Sequence, residues 1–230
     1  MSEPHHEPVP LLDHGFIRLV RADGTDMDIV RSARTSFNAS PRGDDKDRRL
    51  LDRLMRDRHT SPFEAVDATF EVKCPLFVAR QWHRHRTQAY SEVSARYAEL
   101  PDEFYVPAPE VIGKQHAKEK QARDMEAPLD DATLASIHTG MLLHGKQAFK
   151  LYHDLLATGV PRELARSVLP TSTYTRFFAK ASIHNWLHFL NLRLDPHAQY
   201  EIRVYAEAIV ELLKPPFPWT FESFEKHIRK

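Results

Sequence analysis

Residues 80–97 concentrate the side chains best suited to chemistry: Arg80, Gln81, Arg84, His85, Arg86, Thr87, Glu92, Ser94 and Arg96. Guanidinium groups recognise phosphate and carboxylate through planar, two-pronged hydrogen bonding. The run therefore points to an anionic ligand, with Glu92 free for a hydroxyl, an amide or an orienting contact. A solvated basic helix end is the competing reading of the same composition. Trp82 and Tyr90 could stack on bases. Glu92 and Glu99 interrupt the run, however, and 32 Lys+Arg balance 32 Asp+Glu, so a nucleic-acid partner is not expected.

Histidines raise a second chemistry. His83 and His85 have metal-ligand spacing, but no third ligand is nearby and the flanking arginines repel a cation. His184 and His188 stand four apart, on one face of a predicted helix. The segment His-Asn-Trp-Leu-His lacks the Glu of a zinc-protease motif, and two imidazoles make an incomplete site, so no metal is expected. They read instead as core-edge or ligand-contacting residues. Cys74, the single cysteine, lies on the apolar side of a predicted strand. It reads as a buried, inert thiol rather than a nucleophile.

The elements that must position these groups are legible from periodicity. Leu50, Leu51, Leu54 and Met55 behind Asp44 and Asp45 predict a helix over 44–57. Val66, Ala68, Phe70, Val72 and Cys74 alternate with polar residues, which predicts a strand with one buried face. Pro75 then opens a short helix over 76–83, with Leu76, Phe77, Ala79 and Trp82 inward. A long helix spans 131–157 and stops at Gly159 and Pro161, and a short one follows at 161–168. The β-branched and aromatic residues of 171–178 predict a second strand. Ser182 caps a helix running to Arg193, and Asp195-Pro196 starts another over 196–213. Long helices, few strands and no βαβ rhythm indicate the α+β class.

Composition sets the outer bounds. The chain has 230 residues, enough for one substantial core, and reads as a single domain over 1–230. Seven glycines, with no Gly-rich phosphate motif, argue against a P-loop or dinucleotide fingerprint. Residues 1–10 read as a flexible polar tail holding His5 and His6. Residues 38–46 read as a loop, and 107–130 as a long mobile connection. No signal segment or membrane span is predicted, so the expected location is the cytoplasm.

With these residues in place, the sequence resembles the flavin-dependent thymidylate synthases. The family pattern Arg-His-Arg-x-x-Ser-x-Asn-Glu-x-Ser-x-Arg-Tyr is met by Arg84-His85-Arg86, Glu92, Ser94, Arg96 and Tyr97. It departs at Ala89 in place of Ser and Ser91 in place of Asn. His59-Thr60-Ser61-Pro62-Phe63-Glu64, Ala33 to Phe37, Ala165 to Pro170 and Leu190-Asn191-Leu192-Arg193 resemble further family segments. The likeness runs in order from about residue 12 to 225.

The resemblance implies a small antiparallel sheet flanked by long helices, assembled as a homotetramer with sites shared between subunits. It implies methylation of dUMP at C5. Methylenetetrahydrofolate would be the one-carbon donor and FAD, reduced by NADPH, the hydride carrier, with no cysteine nucleophile. On that basis Ser61, Arg84, His85, Arg86, Thr87 and Glu92 would contact the flavin. Ser182, His184 and His188 would do so from positions where the family usually has Asn, Arg and Asn. Gln81, Arg84, Glu92, Ser94, Arg96, Arg166 and Arg193 would hold dUMP. Ser94 and Arg96 would lie on its phosphate, and Arg193 would be the catalytic cation on the uracil edge. Another pyrimidine nucleotide such as UMP, or a non-catalytic nucleotide-binding relative, are the alternatives.

Overall fold

Alternation of side chains sets up the central pairing of this computed structural model, which describes residues 7–36 and 38–229. The chain begins with β1 (Val9–Leu11) and β2 (Gly15–Asp23), then α1 (Asp26–Thr35) and α2 (Asp44–Arg56). A 3-10 turn at Ser61–Glu64 leads into β3 (Asp67–Pro75), α3 (Leu76–Trp82) and β4 (Ala89–Glu92). On β3, Ala68, Phe70, Val72 and Cys74 are fully buried, while Glu71 and Lys73 face the other way, as a period of two requires.

The second half carries β5 (Gly113–Gln115), β6 (Arg123–Pro128), α4 (Asp131–Ala157) and α5 (Arg162–Ala165). It ends with β7 (Tyr174–Ser182), α6 (Ile183–Arg193), α7 (Tyr200–Leu213) and α8 (Pro218–His227). Five strands form one sheet in the order β1-β2-β3-β7-β4. Every neighbour in it is antiparallel. β3 and β7 pair without a register break from Asp67↔Ser182 to Pro75↔Tyr174. The architecture is α+β, as the periodicities predict.

The main core lies on the inner face of this sheet. Trp82 of α3, Phe177 of β7, Trp186 and Phe189 of α6 and Tyr205 of α7 pack there edge to face or tilted, with Trp82 and Phe189 centroids 4.7 Å apart. Such pairs favour defined relative orientations, so α3 and α6, which both carry candidate site residues, are fixed to each other. On the outer face, buried Glu71 is held by Arg176, at 2.6 Å, and by Arg18. A second, smaller core gathers Phe104, Phe149, Tyr152 and Ala165. Gly145 is required there, because a Cβ on it would stand 2.2 Å from the Phe104 ring.

Several expectations are corrected. The polar tail does not extend to residue 10, since Val9 and Pro10 pair with β2; His5 and His6 lie outside the described residues. Part of the expected mobile connection at 107–130 is ordered: β5 and β6 form a two-stranded antiparallel hairpin. One guanidinium nitrogen of Arg123, Nη2, donates to both carboxylate oxygens of Glu201, at 2.5 and 2.6 Å, and ties the hairpin to α7. The second strand starts at Tyr174 and runs on to Ser182, because its partner β3 sets its length. Asp195 caps a turn through the backbone N–H of His197, at 2.7 Å. Helix α7 therefore begins later, at Tyr200. On α3, Val78, Ala79 and Trp82 are buried, whereas Leu76 and Phe77 are half-buried. Among the described residues no helix is long and apolar enough to cross a membrane.

Candidate active site

The turn between α3 and β4 holds the Arg-His-Arg segment rigidly. Trp82 Nε1 donates to Gln88 Oε1 at 3.0 Å inside the core. The Tyr90 hydroxyl donates to the His85 carbonyl at 2.9 Å. Asn185 of α6 reaches the Thr87 carbonyl at 3.4 Å. Pinned from three sides, the turn exposes Arg84, Arg86 and Thr87 and turns His85 inward, where it is 7% exposed. No carboxylate among the described residues pairs with Arg80, Arg84 or Arg86, which leaves their guanidinium groups available to an anion.

His85 meets the catalytic candidate directly. Arg193 Nε donates to His85 Nε2 at 3.0 Å. Burial, together with the Arg193 and His188 charges, pushes the His85 pKa down to about 4. The ring is therefore neutral at pH 7, with Nε2 an acceptor. Half-buried Arg193 is itself drawn below its ordinary value by burial, and a guanidinium keeps its charge through such a shift.

Three clefts hold candidate residues. A cleft of about 1020 Å³ is lined by Arg58, Gln81, Asn191, Arg193 and Gln199 among others. Gln81 Oε1 is buried beside it without a hydrogen-bond partner. A cavity of about 190 Å³ between the end of α2, the 3-10 turn and α6 is lined by Arg58, His59, Thr60, His184, His188 and Asn191, with no carboxylate. The third, of about 440 Å³, lies where β4 leaves the sheet and is lined by Glu92, Ser94, Arg166, Tyr174 and Thr175. There Thr175 Oγ1 donates to Glu92 at 2.5 Å, and Ser94 Oγ accepts from the Arg96 backbone at 3.3 Å. Arg96 and Arg166 converge on Glu163, through its carboxylate at 3.3 Å and its carbonyl at 3.4 Å.

The predicted residues thus fall into two groups within one chain. Gln81, His85 and Arg193 come together, with His184 and His188 on the adjoining helix face. Glu92, Ser94 and Arg166 form a separate cleft, and Arg166 and Arg193 do not line a common cavity. Ser61 is exposed on the 3-10 turn. Ser182 caps α6 by accepting from Asn185 N–H at 3.4 Å. Among the described residues no third ligand joins His184 and His188 in a metal cluster. Cys74 is fully buried, and burial followed by the Glu92 charge pushes its thiol well above the ordinary value, the environment of a structural rather than a reactive cysteine.

Several lining residues, Asn191 and Arg58 among them, were not singled out by sequence reasoning. Asn191 sat in a quoted motif without a role. Arg58 carried one available signal, its place directly before the His59–Glu64 motif. It adopts φ 57°, a left-handed conformation that costs a non-glycine residue roughly 1–2 kcal/mol.

An antiparallel α+β scaffold that brings Arg58, Arg166 and Arg193 to the walls of its clefts, and keeps its lone thiol buried, presents surfaces suited to anionic ligands. The family signature described as thymidylate synthase complementing protein matches residues 18–219. A flavin-dependent thymidylate synthase from Thermus thermophilus is 47% identical over 96% of this chain and 79% of its own length. One from Thermotoga neapolitana is 43% identical over 96% of each. Among solved structures, the UMP/dUMP methylase PolB from Streptomyces cacaoi bound with 5-Br dUMP superposes with a TM-score of 0.86. It is 33% identical, over 96% of this chain and 99% of the other. The chain belongs to the flavin-dependent thymidylate synthase family.

Proposed function

We propose that this protein is a cytoplasmic enzyme that converts dUMP to dTMP. The one-carbon unit comes from methylenetetrahydrofolate, and the hydride that completes the methyl group comes from FAD reduced by NADPH. The observation that carries this reading is Arg193, fixed by neutral His85 at the edge of a cleft where Gln81 Oε1 lacks a partner. A half-buried cation beside an unpaired acceptor is complementary to a uracil edge, with Gln81 accepting from a ring N–H or Arg193 stabilising negative charge on the deprotonated ring. An electron-rich ring of that kind attacks the methylene carbon without help from a thiol, in keeping with buried Cys74.

The phosphate of dUMP falls to Ser94, Arg96 and Arg166, with Arg84 near it and Glu92 held by Thr175. The flavin is suited by exposed Arg84, Arg86 and Thr87, by Ser61 and by His184 and His188. Glu92 faces it from the nucleotide side. His85 acts behind Arg193, and Ser182 acts by capping α6. Unpaired guanidinium groups and a cavity without carboxylates fit a dinucleotide that carries a diphosphate. Because Arg166 and Arg193 line different clefts of one chain, a complete site needs both clefts brought together by neighbouring copies. This supports a homotetramer with shared sites.

The test is the visible spectrum of the purified protein and its NADPH oxidation. A yellow protein whose NADPH oxidation responds to dUMP, with dTMP formed, is expected. Colourless protein that takes up no added FAD would overturn the reading. The UMP/dUMP methylase among the structural relatives favours one second reading, methylation of UMP, and a clear preference for UMP over dUMP would establish it. Nucleotide binding with no methylated product would identify a non-catalytic relative.

A further inference from the structure

Helix α2 closes with two reversed hydrogen bonds, His59 N–H to the Leu54 carbonyl at 2.9 Å and Arg58 N–H to the Met55 carbonyl at 3.2 Å. This pattern places the residue after the cap in the left-handed region, where glycine is the usual occupant. Here it is Arg58, at φ 57°. The turn has no need of the side chain, and glycine would form it with less strain. Strained residues of this kind collect where a side chain is wanted for function.

The Arg58 side chain has such a place. It lines both the cavity with His184 and His188 and the larger cleft with Arg193. No carboxylate among the described residues pairs with it. The smaller cavity otherwise offers three imidazoles, His59, His184 and His188, so Arg58 is its permanent cation. We propose that Arg58 grips the phosphate or carboxylate oxygens of a ligand that lies along α6 from the His184–His188 cavity toward Arg193. Helix α6 presents imidazoles on the turns before Arg193, and the fixed charge for that stretch is supplied from the end of α2.

The inference rests on the proposed reaction, whose ligands offer three sources of such oxygens: the FAD diphosphate, the pyridine-nucleotide phosphates and the folate glutamate. Arg58→Gly removes the charge and relieves the backbone, so the thermal midpoint should hold or rise by about 2–4 °C. FAD and riboflavin are titrated directly, and KM is measured for NADPH and for mono- and polyglutamyl folate. At least one of the anionic ligands should weaken by about tenfold or more, with partial recovery in Arg58→Lys. A loss confined to FAD and absent for riboflavin assigns the diphosphate; a loss confined to NADPH or to folate assigns that ligand. Unchanged affinity for all three in folded Arg58→Gly overturns the proposal, as does a lowered thermal midpoint, which would give Arg58 a structural role. Failure of the unsubstituted protein to bind any of them would instead overturn the proposed function.

Discussion

Arg193 Nε and His85 Nε2 lie 3.0 Å apart, joining the last turn of α6 to the turn that follows α3. The acceptor is a neutral imidazole 7% exposed. Its proton state and the aim of the guanidinium are therefore one structural unit. His85→Phe removes the acceptor and should lower kcat/KM for dUMP by about 10–100-fold, the effect of losing one hydrogen bond to a charged donor. His85→Gln, which keeps an acceptor, should lose less. Equal losses in the two variants would separate His85 from Arg193.

The same pair sets a pH dependence. The folded-state pKa of His85 lies near 4, against an ordinary 6.5. Above pH 6.5 folded and unfolded chains both hold the neutral ring, and the stabilising contact is intact. As pH falls toward 4 the unfolded chain takes up a proton that the folded chain refuses, so stability declines across that interval. Thermal midpoints measured from pH 7.5 to 4 should fall less steeply in His85→Gln than in the parent protein. Parallel profiles would contradict the assignment.

Much of this arrangement was legible where a period is clean. Asp44, Asp45, Leu51, Leu54 and Met55 announce α2, and the β3 alternation survives intact because both of its neighbours bury the same face. Strand β2 is shorter in signal, with only Ile17 and Leu19 fully inward around Arg18. Helix α1 buries only Ile29, Val30 and Ala33 of its apolar side chains. The β5–β6 hairpin has no alternation to read, since a distant glutamate holds it. In the site, residue types and spacing identify the Arg84–Tyr97 run. The inward turn of His85 depends on Tyr90 and on α6, and the separation of Arg166 from Arg193 depends on sheet order. The left-handed backbone at Arg58 left no trace, because the residue that normally advertises it is absent.

Separate clefts for Arg166 and Arg193 make a prediction about assembly. Arg166→Ala and Arg193→Ala should each abolish turnover, since each removes a permanent charge from a different wall. If neighbouring copies complete the site, proteins denatured and refolded together at equal amounts should regain roughly a quarter of the parent activity, as random pairing across shared interfaces gives. No recovery in verified mixed oligomers would place both residues in one subunit's site.

Cys74 is fully buried and its thiol is pushed well above the ordinary value. Cys74→Ala should leave kcat unchanged and lower stability by about 1 kcal/mol, the cost of a small cavity. Thiol-specific alkylation of the native protein should likewise leave turnover intact. A folded Cys74→Ala protein without activity would require a thiol route.

The last prediction concerns the hairpin. Glu201 is nearly buried and takes hydrogen bonds from Arg123, from Gln199 at 3.0 Å and from Tyr105 at 3.2 Å. Arg123 also donates to the Val111 carbonyl at 2.6 Å, so a single side chain clasps both ends of the segment that leads into β5 and β6. Burial raises the Glu201 carboxyl, but the Arg123 hydrogen bond and charge outweigh it and leave the pKa below its ordinary value. The contact therefore stabilises the fold above the ordinary glutamate range and is lost as pH falls through the lowered folded value. Arg123→Ala leaves a buried carboxylate with only neutral donors and should cost about 2–3 kcal/mol. That is below the usual range for a broken buried pair because Arg123 is partly exposed. The variant should be nicked sooner by protease within 113–128 while the central sheet keeps its amide protection. Nicking at the parent rate would mean that the hairpin is held by something other than this clasp.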